Sequence, residues 1–73
     1  MNETERQILE TLLELERTVE LMPRSNPKPD LLPIFARLED LTTQLPRSTA
    51  PDLLHYLHRK SYQKARLFLQ ERG

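Results

Sequence analysis

Residues 3–22 read ETERQILETLLELERTVELM and form the most regular amphipathic segment of the chain. Asn2, followed three residues later by Glu5, predicts a capping box at the start of a helix, and Pro23 predicts its end. Inside the segment, apolar residues recur at spacings of four, three, four and three, which indicates an amphipathic α-helix. The residues of this stripe are Ile8, Leu12, Leu15, Val19 and Met22.

The same helix carries a second apolar strip. Leu9 and Leu13 lie about 100° around the helix axis from the main stripe. A helix with two apolar strips contacts two neighbours, because each strip needs a surface that covers it. This segment therefore predicts a three-helix arrangement or a dimer, rather than a lone helical hairpin.

A second helix is predicted over residues 31–45. Its apolar residues again alternate at spacings of three and four, with Asp30 as a cap before them and Pro46 after them. The proline-rich segment 23–30 has three prolines in eight residues and is predicted to be a stiff connector between the first two helices.

A third helix is predicted over residues 50–71, with Thr49 as its N-cap. Polar residues cluster between His58 and Ser61, and two interpretations stay open at this point. The helix either continues, straight or bent, to its end, or it breaks near residues 59–61 so that Ser61 caps a separate final helix.

Together these patterns predict an all-α fold, a small three-helix bundle with antiparallel neighbours, as a single domain over residues 1–73. Gly73 is the only glycine, which disfavours tight β-hairpins because their turns need positive φ. The predicted core consists of Ile8, Leu12, Leu15, Val19, Ile34, Phe35, Leu38, Leu41, Leu45, Leu54, Leu57, Ala65 and Phe68.

The net charge of zero conceals an uneven distribution of charge along the chain. Residues 1–22 carry six glutamates against two arginines, a net charge of −4, whereas residues 48–73 carry a net charge of +3. An acidic first helix and a basic last helix attract each other, within one chain or between two. The pattern predicts helix orientation more than stability, since exposed ion pairs contribute about 0.2–1 kcal/mol each.

Composition and length argue against several kinds of chemistry. The chain has no cysteine, which excludes disulfides, cysteine-based zinc sites and thiol nucleophiles. Asp52, His55 and His58 follow one another at steps of three, which drift by about 60° around a helix and converge poorly on a metal. With no glycine-rich phosphate loop and no run long enough to span a membrane, we expect no enzyme activity, no cofactor, no metal and no membrane partner.

The most favoured function is a non-enzymatic protein–protein interaction module that self-associates through the first helix, as a homodimer, or binds another protein. This hypothesis depends on the second apolar strip, on the opposed helix charges and on apolar residues outside the predicted core. The candidate interaction residues are Leu9, Leu13, Glu16, Tyr56 and Leu67.

An alternative function is nucleic-acid binding by the basic third helix. Part of its surface would present a row of basic and amide side chains to phosphates. The neutral net charge and the isoelectric point of about 6.7 argue against it, because phosphate attraction normally requires a clearly basic domain. The candidate basic surface consists of Arg59, Lys60, Gln63, Lys64 and Arg66.

Residues 51–65 read PDLLHYLHRKSYQKA and are followed by Phe68, Leu69, Gln70 and Glu71. This ending, about a third of the chain, resembles that of short bacterial helical proteins of unknown function. The resemblance implies a bacterial, cytoplasmic protein and no particular activity, so it assigns no site residue. A cytoplasmic location also agrees with the lack of cysteine and with an acidic N-terminal sequence unlike a signal peptide.

Overall fold

Among the described residues the fold is all-helical, with four α-helices in place of the three expected. The computed structural model describes residues 1–72, and no strand occurs among them. A single 3₁₀ turn, Met22–Arg24, follows the first helix. The helices are α1, Glu3–Leu21; α2, Leu32–Thr43; α3, Pro51–His58; and α4, Tyr62–Arg72.

The capping box predicted for α1 is confirmed. The Glu5 backbone N–H donates to Asn2 Oδ1 at 2.8 Å, and the Asn2 N–H donates to Glu5 Oε1 at 3.1 Å. These bonds satisfy two backbone donors that the first turn of a helix leaves free. At the other end the helix stops one residue earlier than expected, at Leu21, because the chain tightens into the 3₁₀ turn that contains Pro23.

The second helix is shorter than the expected span of residues 31–45, since it runs from Leu32 to Thr43. The N-cap position is occupied by Leu31 and not by Asp30 as predicted, although Asp30 Oδ1 still accepts the N–H of Leu32, the first helical residue, at 3.0 Å. At its other end the N–H of Gln44 turns back to the carbonyl of Leu41, a 3₁₀-type closure two residues before Pro46.

The interpretation with a continuous third helix is wrong, and the alternative interpretation, with a break near residues 59–61, is confirmed. Lys60 has a left-handed backbone with φ of 57°. Its N–H donates to the carbonyl of Leu57 at 3.1 Å, and the Ser61 N–H donates to the carbonyl of Tyr56 at 2.8 Å. This pair of bonds is the Schellman motif, which ends a helix and turns the chain away from its axis.

The N-cap predicted at Thr49 is wrong. The helix begins one residue later, with Ala50 in the cap position and Pro51 at the first helical residue. The Thr49 side chain is buried instead, and its hydroxyl has no hydrogen-bond partner among residues 1–72.

The core lies where α1 packs against both α2 and α4, with α3 packed against α4. The prediction that α1 contacts two neighbours is therefore confirmed within a single chain. No helix within the described residues 1–72 combines the length and hydropathy that a membrane span requires. The buried apolar residues are Ile8, Leu12, Leu15, Leu38, Leu41, Leu53, Leu57, Ala65 and Leu69.

Three residues of the predicted core are more exposed in the fold than expected. Val19 is 47% exposed, because it lines an open cleft between α1 and the start of α4. In the C-terminal region Leu54 and Phe68 are only half-buried, while Leu53 and Leu69 are fully buried. The break between α3 and α4 causes this shift, since two short helices packed against each other bury different faces from one continuous helix. Three further members of the predicted core lie partly buried against it: Ile34, Phe35 and Leu45.

Candidate interaction surfaces

The opposite charges of the first and last helices meet inside the fold. Arg66 Nε lies 3.0 Å from Glu16 Oε2, and Arg72 Nη1 lies 3.2 Å from Glu5 Oε2. The Arg66 side chain is 18% exposed and that of Glu5 is 6% exposed, so each pair has one well-buried partner. Part of the charge difference that suggested pairing between two chains is thus used within one chain.

The predicted interaction strip on α1 is also partly used by the fold. Leu9 packs against the core, Leu13 is half-buried, and Glu16 pairs with Arg66. A strip that already covers its own core offers less apolar surface to a partner. At this strip α1 therefore leaves less apolar surface free for a partner than the sequence pattern indicates.

The two other predicted interaction residues come together on the α3–α4 side. Tyr56 and Leu67 line one shallow cleft with Phe68, and the Tyr56 ring meets the Phe68 ring edge-on with centroids 6.3 Å apart. Leu67 is 44% exposed and Tyr56 is half-buried. Lys64 and Glu71 complete the walls of this cleft.

The predicted basic surface is partly neutralised by neighbouring carboxylates. Arg59, Lys60, Gln63 and Lys64 are exposed, but Lys60 Nζ lies 3.9 Å from Glu39 Oε1. Arg66 faces Glu16 as described above. Within residues 1–72, Arg59 and Lys64 are the basic members of the set that form no ion pair, and two cations give only a small basic surface for binding phosphates.

A further apolar surface, which the sequence patterns did not bring together, surrounds Tyr62 at the start of α4. The rings of Phe35 and Tyr62 stack with centroids 5.9 Å apart and an interplanar angle of 19°. We use the name Tyr62 face for the apolar residues that surround this pair and for the tyrosine itself. The Tyr62 face consists of Val19, Leu32, Phe35, Ala36 and Tyr62.

Tyr62 separates two clefts in this face. The cleft on the α2 side has a volume of about 630 Å³ and is lined by Leu32, Phe35 and Ala36, with Glu39 and Lys60 as its polar members. The cleft on the α1 side has a volume of about 260 Å³. Its walls combine apolar residues of α1 with charged side chains, and they comprise Leu12, Leu15, Glu16, Val19, Glu20, Tyr62, Gln63 and Arg66.

The Tyr62 face contains the most exposed large apolar side chain of residues 1–72, although Leu21 and Met1, outside the face, are 52% and 51% exposed. Leu32 is 71% exposed, the highest value among the large apolar side chains of residues 1–72, and Val19 is 47% exposed. The one signal in the sequence was that Leu32 lies one residue off the α2 stripe. No pattern within a single helix could reveal the face, because α1, α2 and α4 each supply part of it.

Burial raises the pKa of the Tyr62 hydroxyl above its ordinary value, and the nearby Glu39 carboxylate raises this pKa further. Both effects disfavour the charged phenolate. Tyr62 is therefore neutral at physiological pH and presents an apolar ring with a polar edge, the combination that makes tyrosine frequent at protein interfaces.

The residues considered for metal binding do not assemble into a cluster. His55 and His58 are exposed, and among residues 1–72 no three His, Asp or Glu side chains come close enough to share a metal ion.

No family model, curated protein or solved structure matches this chain. The resemblance of residues 51–71 to short bacterial proteins, and with it a bacterial origin and cytoplasmic location, stays a prediction.

Proposed function

We propose that this chain is a non-enzymatic protein–protein interaction module that self-associates through the Tyr62 face. The observation that carries the proposal is the exposure of Leu32 and Val19 on either side of the stacked Phe35–Tyr62 pair. Contiguous exposed apolar side chains with a charged rim are typical of interaction sites on small domains.

The composition of the face agrees with what interface centres contain. Aromatic residues are enriched there, and tyrosine is among the side chains whose removal weakens binding most. Fully burying a leucine contributes about 1.5–3 kcal/mol, so covering Leu32, which is 71% exposed, releases a large part of that amount. Charged residues of both signs stand at the rim, where they affect orientation more than affinity.

Chain length supports the proposal independently. A domain of 73 residues buries only about 60% of its unfolded surface and is marginally stable. Small domains without disulfides commonly gain stability from very regular helix packing or from self-association. Covering the Tyr62 face in this way extends the apolar core across the interface.

The test is sedimentation equilibrium of the purified chain over a wide concentration range. We expect a reversible monomer–dimer equilibrium that Leu32→Glu shifts toward monomer, because a carboxylate would then have to be buried in the contact. The matched control is Leu67→Glu, which introduces the same charge at a residue that is 44% exposed on the Tyr56 side. A strictly monomeric wild-type chain at the highest concentration contradicts self-association, and a control that acts more strongly than Leu32→Glu contradicts the choice of face.

A further inference from the structure

We infer that the partner seated on the Tyr62 face is a second copy of this chain, related by a two-fold axis that passes close to Tyr62. In this arrangement Glu20 of each copy faces Lys60 of the other. The inference rests on the proposed function, and it adds which surfaces meet and which charges pair.

The argument begins with the symmetry of small homodimers. In a two-fold dimer the same patch of both copies forms the contact, so that if one residue meets a second, the second also meets the first. A patch suits this geometry when its two halves, exchanged by the rotation, complement each other. Tyr62 lines both clefts of the face and so lies between such halves.

The two halves complement each other in their apolar residues. The α1 half presents Val19, which is 47% exposed, and the α2 half presents Leu32, which is 71% exposed. A two-fold rotation about Tyr62 brings the Val19 of one copy over the Leu32 of the other, twice per dimer. Each exposed apolar side chain then covers another, and neither half is left without a counterpart.

Both halves hold charges of both signs: Glu16, Glu20 and Arg66 line the α1 half, and Glu39 and Lys60 line the α2 half. Because Glu16 pairs with Arg66, Glu20 is the charge that the α1 half leaves available to a partner. The α1 half carries Glu20, which has no ion-pair partner among residues 1–72, and the α2 half carries Lys60. Lys60 approaches Glu39 of its own chain only at 3.9 Å, with both side chains 68% exposed. An exposed contact of this length holds its lysine weakly, so Lys60 is free to turn toward a carboxylate of a second copy.

A stable interface of standard size buries about 800 Å² on each partner, so the contact extends beyond the two clefts. The contact includes the two clefts, their apolar walls and the charged rim, while the Tyr56–Leu67 cleft and the outer face of α1 remain free.

The experiment reverses the two charges separately and then mixes the variants. Glu20→Lys alone and Lys60→Glu alone each place like charges opposite one another at both symmetry-related contacts. We expect each single variant to dimerise about tenfold more weakly than wild type, from two contacts that change from attraction to repulsion. An equimolar mixture of the two single variants recovers the wild-type affinity, because every reversed charge in the mixed dimer faces its opposite.

Lys64→Glu and Glu71→Lys are the matched controls, since these residues line the cleft on the Tyr56 side. We expect them to leave the dimer dissociation constant unchanged, alone and in mixture. Circular dichroism confirms that each variant remains folded. If wild type dimerises but the mixture of Glu20→Lys and Lys60→Glu does not recover affinity, the two-fold arrangement is overturned and self-association stands; a monomeric wild type overturns both.

Discussion

Substituting Leu53 and Leu54 by alanine, one at a time, distinguishes the observed packing of α3 from the packing expected of a continuous helix. Leu53 is 0% exposed in the core, whereas its neighbour Leu54 is half-buried. A continuous helix from residue 50 to residue 71 would place Leu54 in the core. The two substitutions remove the same atoms from adjacent positions, so any difference between their effects on the free energy of unfolding reflects a difference in burial.

The magnitudes follow from the two environments. A buried leucine replaced by alanine loses its transfer free energy and leaves a cavity, which together cost about 2–5 kcal/mol. Leu53 packs in one cluster with Leu57, Ala65 and Leu69, and its full burial places it at about 3–5 kcal/mol on that scale. Leu54→Ala removes a side chain that water already reaches, and we expect a loss of about 1–2 kcal/mol.

Urea denaturation followed by circular dichroism measures both losses as shifts in the transition midpoint at constant slope. A chain of this size has a free energy of unfolding of roughly 4–11 kcal/mol, so Leu53→Ala can leave little folded protein. Leu53→Met provides a second measurement, because it conserves volume and costs less than about 1.5 kcal/mol. If Leu54→Ala destabilises the chain as much as Leu53→Ala, the packing of α3 described above is wrong.

Three further outcomes are expected. Thr49→Val raises the free energy of unfolding by about 1 kcal/mol in urea denaturation, because it removes a buried hydroxyl that has no partner among residues 1–72, whereas Thr49→Ser gives no gain. The pKa of Tyr62 is raised first by burial and then by Glu39, so the stabilisation that the neutral side chain provides is complete below pH of about 10 and is lost as pH rises through the folded-state pKa. In alkaline denaturation the free energy of unfolding of Tyr62→Phe should therefore fall less than that of wild type. In a gel-shift assay with mixed DNA and RNA we expect no binding at about 0.15 M salt. The nucleic-acid function would be favoured instead by salt-sensitive binding that the Arg59→Gln/Lys64→Gln variant abolishes.

Local chemistry accounts for the features that could be predicted from the sequence. The capping box of Asn2 and Glu5 and the hydrogen bond from the Leu32 N–H to Asp30 each depend on residues at most three positions apart. The stripe of α1 likewise predicted the burial of Ile8 and Leu12, because helical periodicity places residues three and four apart on one face.

The candidate interaction surface was less predictable, because it depends on how the helices pack. Leu9 belongs to an apolar strip in the sequence, but in the fold it lies against the core and is no longer free. Tyr62 lies in the middle of the third helix predicted over residues 50–71, yet in the fold it begins α4 beside Phe35. Its exposed neighbours Val19 and Leu32 come from two other helices, and helical periodicity contains no information about such distant pairs.

The sequence by itself determined the all-helical class, the capping box at Asn2 and the main apolar stripe, since each follows from interactions within one or two turns of the chain. It also determined the opposite charges of the first and last helices. Only the tertiary structure decided between one long helix and two short ones at Lys60, because both satisfy the same periodicity and α4 gains its stability by packing against α1 and α3. It also decided which apolar residues stay exposed, since exposure depends on which helices cover one another.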